Sequence, residues 1–174
     1  MSKAISIALA GIESLIDHIG RATAWVALAM IGLVAVNVLL RYALSFGSVW
    51  AQELEWHLLA ALILFGMSYA LQRGDNVRVD LFYAHYGPKA KFIVDVVSAL
   101  LTFVIALIFI KLSLAYVGQS YSIQEGSSDP GGIPLRWIVK SLIPIGYGLL
   151  ALQSVGELLR VIRDHGAAKE PGHV

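Results

Sequence analysis

Residues 22–40 form a run of nineteen residues without a charge, closed on either side by Arg21 and Arg41. As a helix such a run rises about 28 Å, close to the hydrocarbon thickness of a bilayer. No other feature limits the fold of the chain as firmly. Three further runs behave alike. Residues 56–72 contain no Asp, Glu, Lys or Arg; residues 96–110 are uncharged between Asp95 and Lys111; residues 141–156 are uncharged between Lys140 and Glu157. The last two are short. A turn added at each end brings them to about the 20 residues a span needs, with the bounding charges at the interface and their stems buried. The expectation is an all-α membrane protein with four transmembrane helices, at about 20–43, 49–72, 90–116 and 134–160, in a single integral membrane domain over 1–174.

Composition rules out the main competitor, a soluble helical bundle. Of the 174 residues 57% are hydrophobic and 14% charged, where soluble domains carry about a quarter charged. A soluble four-helix bundle shows polar faces at helical period, and these runs are apolar all round. Thirteen basic and twelve acidic residues leave a net charge of +1, so no nucleic-acid partner is expected. The absence of cysteine excludes disulfides, thiol redox chemistry and cysteine metal sites. Glu13 and Asp17 interrupt the apolar N-terminus before any plausible cleavage site, so it is expected to be retained.

Helix-end signals fit these boundaries. Ser48 suits the N-cap of the second span, Pro88 the start of the third and Pro134 the first turn of the fourth. Asp95 near the start of the third span and Lys111 near its end would complement the helix dipole. Pro144, followed by Gly146 and Gly148, predicts a kink or a close helix contact inside the fourth. Upstream of the first span, Ile5, Leu9, Ile12, Leu15, Ile16 and Ile19 recur at helical spacing with Glu13 and Asp17 off the stripe. That amphipathic extension either lies on the membrane or on a partner, or continues the first span. Leu81, Phe82, Tyr83 and Tyr86 read as interface anchors.

Basic residues set the expected orientation. Lys3, Arg21, Arg73, Arg78, Lys89, Lys91, Arg160, Arg163 and Lys169 fall on one side, nine in all, against Arg41, Arg136 and Lys140 on the other. The positive-inside rule puts the nine, and both termini, in the cytoplasm. The segments 41–49 and 118–133 then face outward.

Candidate chemistry is sparse. Transporters and proton relays place ionisable groups near mid-membrane, and the middle of every span reads as bare, with Lys111 inside the third span near its end. Glu53, Glu55 and His57 cluster at the outer start of the second span beside Trp50 and Trp56. One His and two Glu make a thin metal site. A charged helix start ringed by aromatic anchors accounts for them more simply. Arg41, Arg136 and Lys140 lie at the depth of Glu53, which predicts that Glu53 pairs with one of these cations and sets helix register. A haem anchor lacks matched histidines, a quinone-linked disulfide oxidase lacks cysteines, and a small multidrug exporter would want a carboxylate in an early span. A secondary transporter acting alone usually shows internal repeats and broken helices. No catalytic residue, cofactor or metal is expected.

The order Arg41-Tyr42, Trp50-Ala51-Gln52-Glu53, Gly66 and Arg73-Gly74-Asp75-Asn76-Val77-Arg78-Val79-Asp80 resembles the small membrane subunit of TRAP (tripartite ATP-independent periplasmic) transporters. Gly131-Gly132-Ile133-Pro134, Trp137 and Lys140 resemble its mannitol/chloroaromatic subgroup. The resemblance runs from about Arg21 to Arg160. Asn76 stands where the family often has His, so no side-chain role carries over there. The resemblance implies a bacterial inner-membrane subunit that scaffolds a large sodium-coupled membrane subunit, which imports an organic acid or similar solute delivered by a periplasmic binding protein. It also implies that Arg78 and Asp80 order the cytoplasmic loop and that Glu53 and Trp50 lie near the outer surface. Arg41, Trp137 and Lys140 join these as structural or subunit-contact residues. The loop 118–133 is then either a contact for the binding protein or an ordinary flexible connection. The competing reading of the whole chain is a small transporter or channel that works alone.

Overall fold

The computed structural model describes residues 3–75 and 83–167, and among these run four long helices, α1 (Lys3–Leu44), α2 (Val49–Arg73), α3 (Pro88–Ser122) and α4 (Trp137–Ala167). All four are long and apolar enough to cross a membrane, as expected. A helix suits that solvent because it satisfies its own backbone groups where no water can. Consecutive helices run antiparallel. Glu53 of α2 meets Arg136 beside the start of α4 at one end of the bundle, and Arg73 of α2 meets Asp17 of α1 at the other. These are named below the Glu53 end and the Arg73 end.

Packing centres on α4, which lies against all three other helices, while α1 also packs on α2. Apolar surface gains little by leaving lipid for another helix, so close approach has to hold the bundle together. Small residues supply it. On α3 the face toward α4 carries Ala99, Ala106, Ser113 and Ser120, buried at seven-residue spacing. On α4, Ala151 and Ser154 are buried. A Cβ added to Gly146 would lie 2.7 Å from Leu64 Cβ and 2.8 Å from the Leu64 carbonyl oxygen. Gly20 of α1 likewise makes room for the ring of Tyr69. The buried hydroxyls of Thr23, Ser68, Ser113 and Ser154 each donate to a carbonyl one turn earlier in their own helix, at 2.7–3.1 Å. These four therefore leave no unpaired donor of their own at the contacts.

Several end signals hold. The Ser48 hydroxyl accepts from the Ala51 N–H at 3.3 Å, and Pro88 opens α3 after Gly87. The close contact expected near Pro144 is made by Gly146, whereas Gly148 touches nothing within 4 Å. Three expectations change. Pro134 lies ahead of α4 rather than in its first turn, because Leu135 takes a left-handed φ of 61° that interrupts helical geometry. Lys111 does not lie near the end of α3, which continues about three more turns to Ser122 rather than stopping at about 116. Both Asp95 and Lys111 consequently lie too far inside the helix to complement its dipole. Asp95 instead accepts from the Tyr83 hydroxyl at 2.8 Å.

The N-terminal extension is the continuation of the first span. α1 runs unbroken for 42 residues, about 63 Å. Leu9 and Ile16 of its stripe are buried, but Leu15 is 46% exposed. Glu13 and Asp17 face protein as well, through ion pairs to Arg160 and Arg73 at 2.6 and 2.8 Å.

Replacing Gly146 tests the close-packing account. Gly146→Ala forces Leu64 to move and should destabilise the chain by about 1–3 kcal/mol. Gly148→Ala, which meets open space, should leave its thermal melting in detergent unchanged or slightly raised.

Candidate functional site

At the start of α2 the helix turns Glu53 inward, where it is 3% exposed. Its carboxylate holds the connection between α3 and α4. Oε2 accepts from the Ile133 backbone N–H at 2.5 Å, and Oε1 accepts from the Ser127 hydroxyl and, at 3.2 Å, from the Arg136 guanidinium. Neither Ser127 nor the Ile133 amide lies near Glu53 in sequence, so no local pattern announces them. The expected pairing of Glu53 with an outer cation is present, and the cation is Arg136. A Cβ on Gly132 would lie 2.7 Å from Glu53 Oε2 and collide with Ser127, while Gly131 takes a left-handed φ of 81°. Both glycines of the Gly131-Gly132 motif thus have a steric reason to be there.

The connection is built, not slack. Residues 118–122 belong to α3, and the loop proper is 123–136. Its backbone closes on itself: the Glu125 N–H donates to Ser120 O at 3.0 Å, and the Arg136 N–H to Glu125 O at 2.9 Å. Asp129 N–H bonds to the Ser127 hydroxyl at 3.1 Å and Gly132 N–H to Asp129 O at 3.0 Å. A second latch lies beside the first. Lys140 Nζ is 2.5 Å from Glu125 Oε2 and 3.9 Å from the centroid of the Tyr116 ring. That ammonium holds the Glu125 carboxyl below its ordinary value of 4.5. Trp137 is packed edge-on against Tyr121 at 5.4 Å.

The remaining residues of this end diverge. Glu55 accepts from Asn37 Nδ2 at 2.8 Å, tying α2 to α1. His57 Nδ1 lies 2.6 Å from the Glu53 carbonyl oxygen of its own helix. Glu53, Glu55 and His57 therefore point to three separate partners, as a structural helix start would have them. Trp50, Trp56 and Tyr42 are exposed at 49%, 62% and 84%, and Arg41 is exposed without an ion pair among the described residues. Arg78 and Asp80, with Asn76, Leu81 and Phe82, lie outside the described residues. Of the residues singled out in the sequence, the structure unites Glu53 with Arg136 and sets Lys140 and Trp137 beside them. Arg41 and Trp50 stay on the surface.

A matching set of latches closes the Arg73 end. Asp17 bridges Arg21 and Arg73 at 2.7 and 2.8 Å, with the Arg73 guanidinium 5.0 Å over the Tyr69 ring. Arg160 bridges Glu13 and Glu157, and Gln153 donates to Glu157 at 3.0 Å. Between α2, α3 and α4 an open groove of about 420 Å³ is lined by Leu64, Phe109, Leu112, Ser113, Tyr116, Ile143 and Tyr147. Its lining is mostly apolar and offers no paired acid and base.

Residues 30–164 match the model of tripartite ATP-independent periplasmic transporters, DctQ component. The chain belongs to that family. No curated protein matches it. As a DctQ component it is the small membrane subunit of a TRAP transporter and a multi-pass membrane protein. The family is one of transporter components, not of enzymes. The matched region opens within α1 and reaches the last turn of α4, so it contains both the Glu53 latch and the Lys140 latch.

Two outcomes follow from the latches. Glu53→Gln leaves the Ile133 amide, the Ser127 hydroxyl or Arg136 facing a donor, so hydrogen exchange in residues 123–136 should accelerate markedly while the Arg73 end stays protected. The Lys140–Glu125 latch should be acid-sensitive with a defined sign. Because the folded-state pKa is lowered, its stabilisation is complete above the ordinary value of 4.5 and drains away as pH falls through the depressed value. Melting temperature followed down the pH scale should show this loss in the native chain, and Glu125→Gln should remove that part of the pH dependence.

Proposed function

We infer that the chain braces the large, sodium-coupled membrane subunit of a TRAP transporter during uptake of an organic acid or similar solute. A periplasmic binding protein would deliver the solute, and this subunit would not carry it. The observation that supports this most is where its polar groups are spent. Glu13, Asp17, Asn37, Glu53, Glu55 and Glu125 are each engaged by another part of the same chain. Ionisable groups that translocate a solute or ion face a pathway instead. Locked ends and apolar flanks describe a rigid body suited to standing beside a moving one.

The location proposed is the bacterial inner membrane, with the Arg73 end in the cytoplasm. Among the described residues, Lys3, Arg21, Arg73, Lys89, Lys91, Arg160 and Arg163 belong to that end and Arg41, Arg136 and Lys140 to the Glu53 end, which supports this orientation. The Glu53 end then faces the periplasm. There the ordered 123–136 loop, with Arg41, Trp50 and Tyr42 exposed at the same end of the bundle, is offered to the binding protein. A fixed loop loses less entropy on docking than a slack one.

Purification from native membranes in mild detergent tests the reading. The tagged chain should bring down a large polytopic membrane protein, and the reconstituted pair should take up solute only with the binding protein and a sodium gradient. Solute flux by the purified chain alone would overturn it in favour of a small independent transporter or channel.

A further inference from the structure

Lys111 occupies a depth at which a charge needs a partner. Phe109 stacks on Tyr147 of α4 with ring centroids 4.6 Å apart, and the neighbouring Gly146 abuts Leu64 of α2. Leu64 is the midpoint of the uncharged run 56–72. Lys111 is two residues from Phe109, about 3 Å along the axis, so it lies within a turn of the middle of the bundle. The span middles, bare in the sequence, therefore hold one ionisable group.

The group faces away from its own chain. The side of α3 that meets α4 carries Ala99, Ala106, Ser113 and Ser120, and Lys111 lies nearly opposite them on the helical wheel. Along its own stripe stand Ile93, Leu100, Val104, Leu107 and Leu114, exposed at 46–58%. Lys111 is itself exposed, and no described residue forms an ion pair with it. Escape to the near interface is poorly directed. The Glu53 end lies beyond the C-terminus of α3, and helical side chains lean toward the N-terminus, here back into the membrane. Charged residues in spans characteristically face a protein interior and pair there. An ammonium at this depth on the outside of one chain marks an interior completed by another.

We propose that the outer face of α3 around Lys111 docks a helix of the large membrane subunit that presents a carboxylate at the same depth. This rests on the reading of the chain as a bracing subunit and specifies the surface it uses. A carboxylate is the acceptor because a neutral one would leave the charge uncompensated in low dielectric. Immediately beyond Lys111, Ala115 and Gly118 share the exposed side, and Gly118 has no neighbour within 4 Å. Small residues there let a second backbone approach closely enough for a short lysine–carboxylate contact.

The experiment uses the intact complex in native membranes. A photoreactive amino acid is placed at Val104, at Leu107 or, as the control on another helix, at Leu28, with Lys111 kept native. Adducts to the large subunit from Val104 and Leu107 but not from Leu28 are expected. Separately, Lys111→Glu should cut recovery of the large subunit by about tenfold or more, and Lys111→Arg should retain it. An unchanged melting curve of the purified variant shows that the chain itself is intact. Adducts to lipid alone from α3, or full recovery with both Lys111→Glu and Lys111→Met, overturn the proposal while leaving the bracing role standing. Failure of the native chain to recover any large subunit removes both.

Discussion

In a bilayer, helices gain almost nothing by hiding apolar surface from one another, since lipid tails are as apolar as leucine. What holds this bundle is therefore shape at close range and polar pairing, and α4 shows the constraint most directly. It lies against three helices at once. A helix can do that only if its contact positions are small, as Gly146, Ala151 and Ser154 are, or if they satisfy their own polarity, as Gln153 partly does through Glu157. The same rule shapes α3, whose buried contact positions are alanine and serine while Ile93, Leu100, Val104 and Leu107 point outward. The pattern inverts that of a soluble bundle, where the large apolar residues are the core.

Polar pairing does the work that close packing leaves undone, and it is concentrated at the two ends. Along the middle of the bundle the buried polar groups are hydroxyls bonded back to their own helices, which add no directional grip between helices. At the Arg73 end, two carboxylates of α1 take arginines from α2 and α4. At the Glu53 end, one carboxylate of α2 gathers a hydroxyl, an amide and a guanidinium from one stretch of chain. This asymmetry has a consequence. Charged pairs fasten three helices to each other at the Arg73 end, whereas at the Glu53 end they mainly fasten the α3–α4 loop, with Asn37–Glu55 tying α1 to α2. The rigid periplasmic face proposed for the subunit thus depends on the buried Glu53 carboxylate and the Lys140–Glu125 latch beside it.

The parts of this arrangement that were readable in the sequence are the local ones. Uncharged runs of bilayer length, the Ser48 cap, Pro88 at a helix start and a glycine contact beyond Pro144 all declare themselves within a few residues. Even the pairing of Glu53 with a cation was visible, because depth can be counted from the ends of spans. Three things were hidden. The partners Ser127 and Ile133 lie more than seventy residues from Glu53 and include a backbone amide, which no sequence pattern marks. The continuity of α1 was ambiguous because Glu13 and Asp17 look like a solvated face until arginines from other helices arrive to meet them. The end of α3 was placed too early, at about 116, because Lys111 resembles a charge near a span end, whereas residues 112–122 contain no proline to stop the helix before Ser122.

That misplacement is informative about how such a subunit works. A charge near the end of a span implies a chain whose interior and exterior are both complete. The same charge at mid-depth on the outer face of α3 leaves the interior complete and the exterior unfinished. Inside, Glu13, Asp17, Glu53 and Glu125 each have a cationic donor within the chain; outside, the mid-depth ammonium of Lys111 has none among the described residues. A protein that carried solute through itself would show the reverse, with unmatched polar groups lining the inside. Unmatched charge on the outside is instead a device for specificity, because it makes lipid a worse neighbour than one particular helix. The rigidity of the bundle then has a purpose, since a brace transmits position only if its own helices do not rearrange when the partner moves.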